Sequence, residues 1–281
     1  MSKASEGDDS SLIAHRSSLL PTRLIIDPPQ SGVWNMAVDE ALLESALSDG
    51  VATLRFYQWS EPTLSLGYFQ KIADRELHPA SRDCAVVRRR SGGGAIMHDH
   101  ELTYSLTLPA SSPQVREPEQ VYRRAHEALV TALAKLLPTA SGHLTADLCS
   151  AAIKPARGDE PFLCFLRRAR CDVLLSGGSE ASTVDGNHKV CGSAQRKQAG
   201  AVLQHGSLLL GRSPQAPELP GVADVLCWLP ELDEVRSAWV AQIAKSLGLQ
   251  LSTDQMNAEE QQKAATIANR RFGDPSWIRR R

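Results

Sequence analysis

The sequence predicts an α+β fold whose central sheet is mixed or largely antiparallel and is flanked by helices. Short strand-like runs arrive in consecutive groups, while helical patterns stand singly between the groups. No internal repeat is visible, and no change in composition marks an independent second domain. A single domain is therefore expected.

The N-terminal elements follow from hydrophobic periodicity and turn residues. A strand is expected at residues 23–28. A helix is expected over 31–50, where Met36, Leu43 and Leu47 share an apolar stripe and Gly50 ends the helix. Runs of strand-forming residues bounded by turn residues predict further strands at 51–59, 62–69, 84–90 and 101–109.

The second half repeats these signals. A helix is predicted over 118–137 from apolar residues at three- and four-residue steps. Strands are predicted at 171–175, 188–197 and 200–210, with a polar loop at 176–187 before the second of them, and helices at 231–247 and 255–271. Residues 1–22 are expected to be a disordered extension, 23–210 the core of the domain, and 211–281 C-terminal helices packed on that core.

Composition excludes several classes of protein. The formal net charge is −1, so any basic feature must be local. No apolar run is long enough to span a membrane. The polar N-terminus lacks the features of a secretory or transit peptide, which predicts a cytoplasmic protein. The six cysteines show no CxxC pair and no zinc spacing, so most are expected to be reduced and buried.

The stretch "RRRSGGGAIMHDH" (88–100) combines positive charge with bare backbone. Three glycines after a strand allow a close approach to a ligand, and the arginines beside them suit an anion. The stretch lacks the GK[ST] of a phosphate-binding P-loop. Alternation along a strand means that all three arginines cannot face one pocket. The alternative to a ligand site is a Gly-rich hairpin turn with solvated arginines, which accounts equally for this stretch.

Three other features are candidates for chemistry. His98 and His100 flank Asp99, but no further cluster has metal-ligand spacing, so a structural histidine is favoured and no metal is expected. Lys189 precedes the small residues 192–194, which leave room for a ligand. Cys164 lies in the apolar run "PFLCF", the setting of a buried thiol, although arginines follow it.

Taken together, these motifs resemble the lipoate–protein ligase A and octanoyltransferase family, which shares its catalytic domain with biotin–protein ligases. "RRRSGGGAIMHD" is followed about ninety residues later by "KVCGSAQRKQAGAVLQHGSLLL". "NMAVDEALL" (35–43), "LRFYQWSEPTLSLGYFQ" (54–70) and "ELTYSL" (101–106) fall in the family's order. The resemblance covers residues 23–210 and implies the biotin/lipoate ligase catalytic fold there.

The resemblance also implies site residues. Cys164-Phe165 resembles the pair in which cysteine-dependent octanoyltransferases carry their nucleophile, so Cys164 and Lys189 are the expected catalytic residues. The added loop 176–187 departs from the transferase pattern. The implied substrate-binding residues are Arg89, Arg90, Ser91, Gly92, Gly93, Gly94, Ala95, Ile96, Met97, His98, Gly192, Ser193 and Ala194. In a ligase Arg89 and Arg90 would bind an adenylate phosphate, and in a transferase the pantetheine phosphate, or they would order the loop.

The implied activity is transfer of an octanoyl (or lipoyl) group to a specific lysine of a lipoyl carrier domain, through a Cys164 thioester formed from octanoyl-acyl carrier protein. Glycine-cleavage H protein and the E2 subunit of 2-oxoacid dehydrogenases are the expected acceptors. No cofactor is then required. The main alternative is a lipoate–protein ligase that uses ATP and Mg to form lipoyl-adenylate. An octanoyl amidotransferase between carrier proteins and a non-catalytic binder are further alternatives, whereas nucleic-acid and membrane partners are not expected.

Overall fold

A computed structural model describes residues 19–136, 145–152, 160–177 and 186–281. The strands in chain order are β1 Leu20–Ile26, β2 Ala52–Tyr57, β3 Thr63–Leu66, β4 Ala85–Arg88, β5 Ile96–His98, β6 Glu101–Leu108, β7 Thr145–Leu148, β8 Val173–Gly177, β9 Gly186–Gln198, β10 Ala201–Leu209 and β11 Leu249–Thr253. The helices are α1 Gly32–Ser48, α2 Pro118–Leu136, α3 Val222–Leu226, α4 Leu232–Leu247, α5 Ala258–Ile267 and α6 Pro275–Ile278.

Two sheets organise these strands. The larger sheet has eight strands in the order β11-β1-β2-β6-β10-β9-β8-β7. In it β1 runs parallel to β2 and to β11, and the other neighbours are antiparallel. The smaller sheet has the order β4-β3-β5. The predicted mixed sheet flanked by helices is therefore confirmed.

Helices cover the large sheet on both faces. On one face α2 and α4 pack in a cluster in which Trp239 contacts the rings of Phe56 and Tyr104. On the other face α1 is buried around most of its circumference, because α5 covers the side that the sheet leaves open. The Ser31 hydroxyl caps α1 by accepting from the Trp34 N–H, which fixes where this central helix begins.

The structure refines several predicted boundaries. Residues 20–22 belong to β1, so the predicted extension 1–22 reaches too far, and its residues 1–18 lie outside the described part of the chain. The two predicted C-terminal helices correspond to α4 and to α5 with the π-helical turn 268–272. Strand β11, between them, was not predicted. Its five residues give little alternation, and its place in the sheet comes from pairing with β1.

The predicted polar loop 176–187 is shorter than expected at both ends, since β8 extends to Gly177 and β9 starts at Gly186. The remainder of that loop lies outside the described residues. Among the helices of the described ranges, none is long and apolar enough to cross a membrane.

Candidate active site

The loop between β4 and β5, residues 91–94, is called the glycine loop here. Gly93 has φ +93°, a conformation that side chains other than glycine rarely adopt. The turn after β3 packs directly against this loop, because a Cβ on Gly67 would lie 2.0 Å from the Gly93 carbonyl oxygen. Glycine is therefore required on both sides of this contact.

The segment that carries Cys164 is hydrogen-bonded to the end of the glycine loop. The Ala95 N–H donates to the Phe162 carbonyl at 3.0 Å, and the Cys164 N–H donates to the Ala95 carbonyl at 2.7 Å. A Cβ on Gly94 would lie 3.0 Å from the Phe162 oxygen and 3.1 Å from the Cys164 nitrogen. Gly94 thus makes room for the cysteine segment.

Cys164 opens onto a cavity of about 300 Å³, within the size range of small-molecule sites. One wall consists of the glycine loop and the cysteine segment, and the opposite wall is formed by β9 and β10. The lining residues are Met36, Tyr57, Trp59, Arg89, Gly92, Gly93, Ile96, His98, Thr103, Cys164, Phe165, Lys189, Gly192, Ser193, Ala194, Gln195, His205, Gly206 and Ser207.

Arg89 is buried and holds the glycine loop from within. Its guanidinium donates to the Ser65 carbonyl and hydroxyl at 2.6 Å each and to the Gly94 carbonyl at 2.8 Å. Burial lowers the pKa of Arg89 to about 10, against the opposing influence of Cys164 and Glu101, so the group stays charged at neutral pH. The Arg89 Nη2 lies 3.8 Å, and the Cys164 Sγ 4.0 Å, from the point where a Gly93 Cβ would stand.

Lys189 is buried on the opposite wall and forms an ion pair with Asp172 at 2.9 Å. Its Nζ also lies 3.4 Å from the Cys164 carbonyl oxygen and 5.1 Å from the centre of the Phe165 ring. A Cβ on Gly192 would lie 2.6 Å from the Lys189 Cε, so glycine is needed for this side chain to fold back. The lysine therefore reaches the cysteine segment with its charge already paired.

The Ser193 hydroxyl is committed to partners outside the cavity. His126 donates from Nδ1 to the Cys171 carbonyl at 2.5 Å, which leaves its Nε2 to accept from the Ser193 hydroxyl at 2.6 Å. Tyr104 lies 2.9 Å from the same hydroxyl. Burial lowers the pKa of His126 to about 4, so the imidazole is neutral. These bonds fix strand β9 beside Lys189.

The far end of the cavity contains a ring stack above a buried carboxylate. His98 stacks on Trp59 with centroids 3.8 Å apart. The His98 Nδ1 donates to Glu101 at 2.7 Å, and its Nε2 accepts from the Ser65 hydroxyl at 2.6 Å. Because Ser65 also accepts from Arg89, a chain of hydrogen bonds links the glycine loop to this end. Through these hydrogen bonds His98 helps to hold the glycine loop, which is a structural role of the kind that the sequence favours for this histidine.

Eight of the thirteen predicted substrate-binding residues line the cavity, together with both predicted catalytic residues. The five that do not are Arg90, Ser91, Gly94, Ala95 and Met97. A binding role for any of the thirteen remains a prediction. Arg90 forms an ion pair with Glu40, and Ser91 lies 2.9 Å from His205. Ala95 and Met97 pack in an apolar cluster behind the loop.

Sequence reasoning missed Asp172, His126 and His205. Asp172 falls within the predicted strand 171–175 without any signal of its own, and its pairing with Lys189 depends on how β8 and β9 align. His205 lies 3.6 Å from Asp39, the aspartate of the "NMAVDEALL" motif, and Asp39 also forms an ion pair with Arg55. In the described part of the chain, no group of three or more His, Cys, Asp or Glu residues could hold a metal ion.

Comparisons with known proteins point to one family and one fold. Residues 31–217 match the family described as "Lipoyl protein ligase A/B catalytic domain". The octanoyltransferase LipM of Kyrpidia tusciae is 30% identical over 277 residues, covering 90% of this chain and 96% of that protein. LipM of Clostridioides difficile is 35% identical over 194 residues, covering 67% and 65%.

Solved structures show the same fold. A bipartite lipoate protein ligase of Thermoplasma acidophilum has a TM-score of 0.67 at 20% identity and covers 92% of this chain and 96% of that one. Lipoate-protein ligase A bound with ATP has a TM-score of 0.65 at 21% identity and covers 92% and 99%.

Proposed function

The chain belongs to the lipoyl protein ligase A/B catalytic domain family, and we propose that it transfers an octanoyl group through a thioester on Cys164. The similarity to LipM over nearly the full length of both chains supports octanoyl transfer for protein lipoylation. The observation that carries the thioester is the position of Cys164, half-buried at the cavity between the glycine loop and Lys189.

The first step requires a thiolate and a stabilised oxyanion. The Cys164 thiolate attacks the carbonyl carbon of the donor thioester, and the donor leaves as a thiolate that takes up the proton released when Cys164 ionised. Arg89 supplies a positive charge on the Cys164 side of the cavity, and in the described part of the chain it forms no direct ion pair. Lys189, whose Nζ lies 3.4 Å from the Cys164 carbonyl oxygen, is the proposed hydrogen-bond donor to the oxyanion.

The cavity offers an apolar slot for the acyl chain. Tyr57, Trp59, Ile96 and Phe165 contribute apolar surface, and Gly92 and Gly93 leave one wall without side chains. At about 0.8 kcal/mol for each buried CH₂, an octanoyl tail gains roughly 5 kcal/mol from such a slot. This binding energy is available to hold the acyl group during both half-reactions.

The second step completes the transfer. A neutral lysine amine of a lipoyl carrier domain attacks the Cys164 thioester, the cysteine thiolate leaves, and the amine proton passes to it. An amide replaces a thioester, which is downhill without ATP. We propose acyl carrier protein as the donor, lipoyl domains such as H protein or E2 as acceptors, and no cofactor. The Thermoplasma ligase was solved as part of a lipoylation system with its E2 lipoyl domain.

Intact mass spectrometry tests this proposal. Wild-type protein mixed with octanoyl-acyl carrier protein, without ATP, is expected to gain one octanoyl group that hydroxylamine removes, and then to pass it to an apo lipoyl domain. Cys164→Ala should neither load nor transfer. Cys84→Ala is the matched control, since Cys84 is also a half-buried free thiol but lies outside the cavity lining.

Two results would contradict the proposal. Modification of the lipoyl domain only with free acid and ATP would identify a ligase and make Cys164 dispensable. Loading of Cys164 only from an octanoylated lipoyl carrier would keep the thioester but make the protein an amidotransferase between carriers.

A further inference from the structure

The last residues of the chain pack against the β3–β4 region beside the glycine loop. Residues 277–281 are called the C-terminal strap here. The Trp277 indole N–H donates to the Arg88 carbonyl at 3.0 Å, and the Ile72 N–H donates to the Arg281 carbonyl at 2.9 Å. This segment lies beyond residue 217, where the match to the family ends.

Arg88 connects the strap to the turn that follows β3. Its fully buried guanidinium donates to the Ile278 carbonyl through Nε and Nη2, at 2.9 and 2.7 Å. Its Nη1 donates to the carbonyls of Gly67 and Gln70 at 3.0 and 2.6 Å. One planar guanidinium thus satisfies backbone groups from two distant segments, a task that a lysine ammonium cannot reproduce.

Cation–π contacts add a second connection between the same two segments. The Arg280 guanidinium lies 4.4 Å from the centre of the Tyr68 ring and 4.5 Å from that of Trp277. The Arg281 guanidinium lies 5.2 Å from the ring of Phe69. Such contacts contribute on the order of 0.5–1 kcal/mol each at exposed positions. Burial lowers the pKa of Arg88, and Arg280 and Arg281 lower it further.

The turn at 67–70 in turn holds the glycine loop. The Tyr68 N–H donates to the Ser91 carbonyl at 2.9 Å, and Gly67 is in close contact with the Gly93 carbonyl. The Phe69 ring lies 3.9 Å from the point where a Gly92 Cβ would stand. The strap, the turn and the cavity wall therefore form one continuous set of contacts.

We propose that the C-terminal strap is a positioning element for acyl transfer, which holds the glycine loop in register with Cys164 through Arg88 and the 67–70 turn. This inference rests on the proposed function for its kinetic consequence. Without the strap, the loop would lose its outer support while the inner contacts of Arg89 remain. The cavity wall and the donor carbonyl would then be less well placed against Cys164.

A truncated variant ending at Ser276, which removes the whole strap, tests the proposal, together with Trp277→Phe, which keeps an aromatic side chain but removes the indole N–H. Hydrogen exchange is expected to speed up in residues 67–72 and 90–95. The maximal rate of Cys164 loading from octanoyl-pantetheine, a donor without a carrier protein, should fall by about 10–100-fold, as for a small misplacement at a reacting centre. Of the two single variants at position 280, Arg280→Lys should keep more of the wild-type loading rate than Arg280→Ala.

Arg279→Ala is the matched control, because Arg279 is an exposed arginine of the same segment and its side chain takes no part in these contacts. Unchanged exchange in the truncated variant would overturn the proposal. So would a loss seen only with octanoyl-acyl carrier protein, which would identify the strap as a docking surface. If wild-type protein fails to load from any donor, the proposed function fails, while the exchange result still decides whether the strap holds the loop.

Discussion

Two buried cations face the same cavity in different surroundings. Lys189 lies 2.9 Å from the Asp172 carboxylate, whereas Arg89 donates to neutral oxygens of Ser65 and of the glycine loop. Within the described ranges, no carboxylate lies within ion-pair distance of Arg89. A close ion pair is nearly neutral as a unit, so its field falls off quickly. We therefore assign the positive potential at Cys164 to Arg89. To Lys189 we assign hydrogen-bond donation to the oxyanion.

This assignment defines a role for Lys189, which the sequence predicts as a catalytic residue. The same sequence reasoning gave Arg89 to a substrate phosphate or to loop ordering, and the structure shows the loop-ordering contacts. A buried cation with neutral acceptors remains electrostatically active toward a nearby anion. A buried cation with a carboxylate partner serves mainly as a fixed hydrogen-bond donor.

The largest expected effect comes from removing the partner of Lys189. Asp172→Asn leaves a buried ammonium without a counter-charge, and the free energy of unfolding should fall by about 3–5 kcal/mol in urea titrations. Asp172 also accepts from Tyr122 and from the Ala169 N–H, which an asparagine oxygen can still do in part.

The double variant Lys189→Met/Asp172→Asn sharpens this test. It removes both charges, so it should recover most of the stability lost in Asp172→Asn. Losses that simply add in the double variant would mean that the two side chains are not energetically coupled, and the contrast with Arg89 would disappear.

His126, near Lys189, and His98, near Arg89, are both buried, and their lowered pKa values make stability depend on pH. Burial lowers the pKa of His126 to about 4, although the Cys171 carbonyl and Asp172 oppose the shift, and burial also lowers the pKa of His98. An unfolded histidine has a pKa of about 6.5, so as pH falls the unfolded state takes up the proton first. Stability from neutral His126 is complete above about pH 6.5 and is lost toward pH 4, by about 3 kcal/mol.

Urea unfolding at pH 7 and pH 4.5 measures this loss. His126→Gln should lose less stability between the two pH values than wild type. His100→Gln should behave as wild type, since His100 is exposed and lies outside the cavity lining. An identical pH dependence in His126→Gln would show that the histidine is not held neutral in the folded protein.

The fold could be predicted to the extent that periodicity and turn residues define its elements. The central helix and most strands of the large sheet follow from local patterns. Strands β5 and β11 do not, because three and five residues carry too little alternation and depend on pairing with distant partners. Alternation did predict that the three arginines diverge: Arg88 contacts the C-terminal strap, Arg89 the cavity and Arg90 the Glu40 carboxylate.

The site could be predicted where the sequence concentrates unusual residues, as in the glycine loop and around Lys189. The partner Asp172 could not, because a lone aspartate before a strand has no spacing signal. The register between β8 and β9 shifts at Val173/Leu174, directly after Asp172. Nor could sequence foresee that Gly94 faces the cysteine segment, since that contact joins residues about seventy positions apart.

The smallest expected effect concerns the reactivity of Cys164, which should depend on Arg89 more than on the Lys189–Asp172 pair. The Arg89 guanidinium lies within about 8 Å of the Cys164 sulfur, a distance at which one charge at an effective dielectric constant of about 20 contributes on the order of 2 kcal/mol to a thiolate. Arg89→Met should therefore slow alkylation of Cys164 by iodoacetamide at pH 7 more than tenfold, measured by peptide mass mapping. Lys189→Met/Asp172→Asn removes a neutral pair and should change that rate little. A greater loss in this double variant than in Arg89→Met would reverse the assignment and make the lysine side the source of the field.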